Sequence, residues 1–152
     1  MKKSFAELFA VANGGPINVE GQQVFNIYRR NVKNGQAVSI HILKHANQPD
    51  QGLRLKIVGG TLLVNGQELE DVVLWLDTAP ADVEIACCIA KPSTHGELRI
   101  WNCWRSDTGT TQAWIGNAGM IVEEERDGAT LRCSSGTGLF DPTQLTVNIQ
   151  IH

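Results

Sequence analysis

Alternation dominates this chain. In Leu53-Arg54-Leu55-Lys56-Ile57, and again in Leu145-Thr146-Val147-Asn148-Ile149-Gln150-Ile151, aliphatic residues take every second position and polar residues the ones between. A period of two puts each set on one face of a β-strand, so both segments predict strands with one side on a core and one in water. Val38, Ile40 and Ile42 repeat the pattern, as do Val72, Leu74 and Leu76, and then Val83, Ile85, Cys87 and Ile89.

The period changes only at the beginning. Phe5, Leu8, Phe9 and Ala12 recur at helical spacing. Ser4-Phe5-Ala6-Glu7 reads as a capping box, and Asn13-Gly14-Gly15-Pro16 as a stop, with Gly for the left-handed cap and Pro to bar continuation. Residues 1–15 therefore predict one amphipathic helix, packed against the sheets or across an open end of them.

Asn34-Gly35, Asn65-Gly66 and Asp127-Gly128 read as two-residue type I′ hairpin turns, whose central residues need positive φ. Each sets a register. Around Asn65-Gly66, Val64 faces Gln67 and Leu62 faces Leu69. Around Asp127-Gly128, Arg126 faces Ala129, Glu123 faces Arg132 and Val122 faces Cys133. The runs amount to about ten to twelve short strands with no helical crossover and no repeat of fixed period. The expected fold is a single all-β domain over 1–152: an antiparallel β-sandwich, of which a jelly roll is one form, with a short N-terminal helix.

Composition narrows the partners. The chain has 152 residues, 42% hydrophobic and 19% charged, with a formal charge of −3, which is ordinary for a globular domain with a core. Lys2-Lys3 and Arg29-Arg30 are the only basic doublets. No continuous basic stripe exists for a phosphate backbone, so nucleic acid is not an expected partner. No apolar run approaches the ~20 residues of a membrane span. Lys2-Lys3 and Ala10-Val11-Ala12 imitate an export signal, but Glu7 interrupts the short apolar stretch between them. Cys87, Cys88, Cys103 and Cys133 lack CxxC spacing and read as reduced thiols, with a cytoplasmic location as the corollary. Whether Cys103 and Cys133 meet across the sandwich is a question of geometry.

No motif assembles a catalytic or metal site. His41 and His45 share a strand face by parity, but no further ligands accompany them. His95 falls in the turn Pro92-Ser93-Thr94-His95-Gly96, and His152 is the last residue. Asp77, Asp82, Asp107 and Asp141 are scattered at strand ends without a calcium-loop pattern. Ser134-Ser135-Gly136-Thr137-Gly138 lacks a Walker lysine and is not GxSxG. Glu123-Glu124-Glu125 reads as a solvated strand end. The expectation is no catalytic residue, no cofactor and no metal.

The tryptophans carry more information. Trp101, Trp104 and Trp114 lie within Glu97–Glu125. Parity puts Leu98, Ile100, Asn102 and Trp104 on one face, and Arg99, Trp101, Cys103 and Arg105 on the other. Trp104 is then the core candidate. Trp101 is either an outer-face residue between two arginines or one buried beneath the N-terminal helix. Trp75 and Val73 oppose Leu74 and Leu76, so that strand is apolar on both sides: either both faces are covered, or one is an interface. Trp101, Arg99, Arg105, Trp114, Asp107 and Trp75 are the candidate binding residues, on the Trp/Arg character of hot spots.

Three functional readings follow. The first is a non-catalytic protein-interaction module, a small bacterial accessory, immunity-type or assembly protein, bound to a partner or to a second copy of itself. The second is a ligand-binding sandwich, for example for carbohydrate, with Trp101 or Trp114 as platform and Asp107, Thr108, Thr110, Thr111, Gln112 and Asn117 as hydrogen-bonding groups. The third, ranked last, is a hydrolase or a cupin-like metal enzyme, for which the histidines are badly spaced.

Overall fold

The computed structural model describes residues 3–91 and 94–152; Lys2 of the first basic doublet, and Pro92 and Ser93 of the turn before Gly96, lie outside them. The N-terminal segment forms α1 (Phe5–Val11), started by Ser4 and Glu7 as a capping box. At its end Asn13, at φ 53°, takes the left-handed position expected of a glycine, and Gly14 N–H donates to the Phe9 carbonyl at 2.9 Å. The helix packs Phe5 and Phe9 on Ile17 and Val24 of a small ribbon, β1 (Ile17–Val19) and β2 (Gln22–Val24). It covers that ribbon and no tryptophan of the central stretch.

The next eight strands are one long hairpin rolled on itself. β3 (Tyr28–Lys33), β4 (Ala37–His45), β5 (Gln51–Val58) and β6 (Gly60–Val64) run out to the tip. β7 (Gln67–Leu69), β8 (Asp71–Trp75), β9 (Asp82–Ile89) and β10 (His95–Arg105) return from it. The pairs nest antiparallel: β6 with β7, β5 with β8, β4 with β9 and β3 with β10. Asn65-Gly66 forms the tip, with φ of 51° and 78°, and sets Leu62 opposite Leu69 as its type I′ chemistry predicts.

Each outgoing strand switches sheet, and its returning partner switches with it. The rolled hairpin therefore lands as two layers, β3-β10-β5-β8 and β4-β9-β6-β7, which is the jelly-roll arrangement. At one corner Gly59 has φ 88° and Ile57 N–H donates to the Glu70 carbonyl at 3.0 Å, tying the two switching strands together. At another stands Asn34-Gly35. It is not a type I′ hairpin turn: only Gly35 has positive φ, Gln36 N–H bonds to the Lys33 carbonyl, and the strands it joins lie in different sheets. That is type II geometry. The Asn34 carboxamide oxygen accepts from Ile89 N–H at 2.9 Å, so the side chain braces the corner.

β11 (Thr111–Gln112) adds to the end of β10. β12 (Gly119–Glu125), β13 (Gly128–Ser134) and β14 (Leu145–Ile151) extend the other sheet beyond β4. With fourteen strands among the described residues the structure exceeds the ten to twelve expected, because β1, β2, β7 and β11 are two or three residues long and carry no readable alternation.

The β12–β13 register is two residues away from the expected one. Glu125 pairs with Gly128, so the turn is Arg126-Asp127 and Met120, not Val122, faces Cys133. Gly128 is required for a different reason from the one its turn motif suggested: a Cβ there would collide with the Ile149 carbonyl. The Glu123–Arg132 ion pair survives as a diagonal contact at 2.7 Å. Glu123, Glu124 and Glu125 are exposed, as a solvated strand end should be.

One core fills the space between the layers, with Leu53, Leu55, Leu98 and Ile100 from one sheet against Val38, Ile40, Leu131 and Ile149 from the other. Trp104 is 1% exposed, on the inward side of β10 as parity required, and Gly136 lies against its ring. Cys87 is buried on the inner face. All four thiols are free. Cys103 lies on the outer face of the five-stranded sheet and Cys133 on the inner face of the other, so they do not meet. A bulge at Leu43, between the pairs Ile42–Val147 and Lys44–Thr146, reverses parity and puts His41 and His45 on opposite faces. His95, expected in a turn, opens β10 opposite Lys33.

Candidate functional site

The outer face of β3-β10-β5-β8 collects most of the singled-out residues. Register fixes the neighbours. Trp101 pairs with Arg54, which pairs with Val73. One step along, Cys103 pairs with Gly52, which pairs with Trp75. One step the other way, Arg29, Arg99, Lys56 and Asp71 lie side by side across four strands.

Trp101 is on the outer face yet only 4% exposed. What covers it is Trp114, not the N-terminal helix. The two ring centroids are 4.8 Å apart with planes inclined by 35°, an arrangement worth about 1 kcal/mol beyond the buried area. The Arg54 guanidinium sits 5.5 Å from the Trp101 ring centroid, a cation–π contact. Trp101 Nε1 is buried with no hydrogen-bond partner among the described residues.

Trp114 itself is 42% exposed and its backbone is left-handed, φ 60°. For a bulky residue that conformation costs about 1–2 kcal/mol. It is held by the stack on Trp101 and by a 3.0 Å hydrogen bond from Nε1 to the Asn26 carbonyl. One indole face is thereby fixed at the mouth of an open cleft of about 380 Å³, whose walls are Arg54, Lys56, Asp71, Thr111, Gln112 and Ala113. That volume lies within the range of small-molecule sites.

Electrostatics orders the cleft. Arg54 donates from Nε to Asp71 Oδ1 at 2.9 Å and from its terminal nitrogen to Oδ2 at 2.6 Å, a bidentate fork that fixes both side chains. The hydrogen bonds from Arg54 hold the Asp71 carboxyl below its ordinary range, and Asp71 in turn raises Arg54. Arg99 bonds to Glu97 at 2.7 Å, and Arg29 reaches the same carboxylate at 3.6 Å. Lys56 has no ion pair among the described residues.

Trp75 belongs to the same face but not to the cleft. It is half-buried on β8, an edge strand, with its ring across Gly52; a Cβ at Gly52 would stand 2.8 Å from Trp75 Cε3. The Arg105 guanidinium covers the ring at 3.9 Å, anchored by Asp77 at 3.3 Å. The second apolar face of this strand is thus closed by an arginine lid. Beside it, burial pushes the Cys103 thiol up to about 11 despite the nearby Arg54 and Arg105 charges.

The remaining candidates lie elsewhere. Asp107 is exposed on a turn closed by Ser106, Thr108 and Thr110 hydroxyls. Asn117 bonds to Phe5 N–H and the Gly138 carbonyl, near the helix. Of the expected polar groups only Thr111 and Gln112 reach the cleft. Sequence reasoning missed Arg54, Lys56 and Asp71. The alternation of β5 already put Arg54 and Lys56 on a polar face, but their meeting with Trp101 depends on the β5–β10 register, which no local signal sets.

Among the described residues, no three His, Cys, Asp or Glu side chains converge to hold a metal ion, and no helix is long and apolar enough to cross a membrane. Comparison of the chain with protein-family models, curated proteins and solved structures returned no match.

Proposed function

We propose that this protein is a non-catalytic ligand-binding β-sandwich whose ligand is carbohydrate-like and rests on the Trp101–Trp114 pair. The observation that carries the reading is Trp114. A strained backbone holds its indole half in solvent, stacked on a buried second indole, at the mouth of a cleft with hydrogen-bonding groups on its walls. A pyranose offers an apolar C–H face for the indole and hydroxyls for Asp71, Thr111 and Gln112. Backbone strain of this kind clusters at active sites, ligand clamps and switch regions. Titration of the intact chain with oligosaccharides, followed by tryptophan fluorescence, tests this: a saturable change abolished by Trp114→Ala supports it, and no change with any saccharide contradicts it.

The protein-interaction reading keeps one specific observation. β8 is a sheet edge with no strand beyond it among the described residues. A partner strand added to β8 would bury that edge. Trp75→Ala would then weaken partner capture while leaving saccharide binding intact.

A further inference from the structure

We infer that the ligand of the Trp114 cleft is anionic, a saccharide whose ring bears a carboxylate or sulfate, held by Lys56 on the cleft wall, with Arg99 and Arg29 continuing the cationic row beyond it. The inference rests on the platform reading above and adds the charge of the ligand. Its basis is a like-charge row. Arg29 is directly opposite Arg99, and Arg99 directly opposite Lys56, on three adjacent strands. Like charges at direct cross-strand positions destabilise a sheet. Glu97 is the one carboxylate between Arg29 and Arg99, and it serves both. Asp71, at the far end of the row, is committed to Arg54. Lys56, with Asp71 as its cross-strand neighbour but no contact ion pair of its own among the described residues, stands on the wall of the cleft that Trp114 borders. An arrangement that costs stability in the free protein is relieved when an anion occupies it, and the platform beside it supplies the ring contact.

Single-stranded nucleic acid, the other ligand that joins rings to anions, fits less well. It needs successive stacking faces along a basic track, whereas Trp101 is buried, Trp75 is covered by Arg105, and Asp71 and Glu97 interrupt the cations.

The test is a calorimetric titration of the full chain at low and physiological salt with four probes: oligogalacturonate, a sulfated heparin-type oligosaccharide, a neutral malto-oligosaccharide of equal length, and a thymidine oligonucleotide. Trp114→Ala, Lys56→Gln, Arg99→Gln and a control, Lys44→Gln on the opposite sheet, complete the set. The expected result is binding of an anionic saccharide that weakens with salt, falls about tenfold in Lys56→Gln, is lost in Trp114→Ala and is unchanged in Lys44→Gln. Equal binding of the neutral oligosaccharide, insensitive to Lys56→Gln but lost in Trp114→Ala, overturns the anionic assignment and leaves the platform. Anion binding that survives Trp114→Ala overturns the platform and keeps the row. Preference for the oligonucleotide, or binding of none of the four, overturns the inference.

Discussion

Trp114 covers Trp101 at a centroid separation of 4.8 Å, and this contact converts a buried strand residue into the base of a surface platform. Trp101 is held from below by its strand and from the side by Arg54. Trp114 is held by that stack and by one hydrogen bond to Asn26. Removing the cover should therefore change exposure more than stability. Trp114→Ala is expected to lower stability by about 1 kcal/mol, the worth of the lost stack, since alanine keeps the Cβ and with it the strain at φ 60°. The same substitution should make Trp101 accessible to acrylamide quenching. A chain that unfolds, or quenching that stays flat, would show that the cover does not work as described.

Gly52 has a different task. It leaves room for the Trp75 ring, which would stand 2.8 Å from an added Cβ. Gly52→Ala should displace the ring, break the Arg105 stack and cost about 1–3 kcal/mol, as overpacking does. Chemical denaturation gives the energy, and near-ultraviolet circular dichroism should report the lost Trp75 environment. A neutral substitution would mean that the edge strand adjusts freely.

The Arg54–Asp71 fork makes stability depend on pH. Arg54 lowers the Asp71 carboxyl below its unfolded value. The pair's contribution is therefore complete above the ordinary carboxylate range near pH ~4 and is lost as pH falls through the depressed folded value. Both side chains are about a third exposed, so the effect is about 0.5–1 kcal/mol. Asp71→Asn should remove that contribution at pH 7 and make no difference at acid pH. A difference between the two proteins that is the same at both pH values would contradict the pairing.

The architecture was legible in the sequence where a signal is local. The capping box at Ser4–Glu7, the type I′ tip at Asn65-Gly66 and the period-two faces of β5 and β14 all follow from neighbouring residues. Glycine was misread where its reason is distant. Gly128 is small because the neighbouring strand β14 presses its Ile149 carbonyl against it, and Gly35 turns a corner between sheets. The site was half legible for the same cause. Parity put Trp101 on the outer face with Arg99 and Arg105, but Trp114 reaches it from another segment, and Arg54, Lys56 and Asp71 join through nested pairing across up to 47 residues of chain between Arg54 and Trp101. The bulge at Leu43 shows the limit of parity itself, because one extra residue moved His45 to the other face from His41.

Thiol reactivity checks the placement of the cysteines. Burial pushes Cys87 and Cys103 up to about 11 and Cys133 higher still, so the thiolate that alkylates is scarce at each near pH 8. Cys88 is the half-buried one. Native protein should label slowly at a single thiol, Cys88, and at all four after unfolding. Rapid native labelling of Cys103 would show that Trp75 and Arg105 do not close over it.

The most direct test of the platform is the ¹H–¹⁵N spectrum of the four indole N–H groups during titration with an anionic oligosaccharide. Trp114 and Trp101 should shift together and saturably, with Trp104 unmoved in the core. Shifts confined to Trp75, or no shift at Trp114 at saturating ligand, would contradict the account.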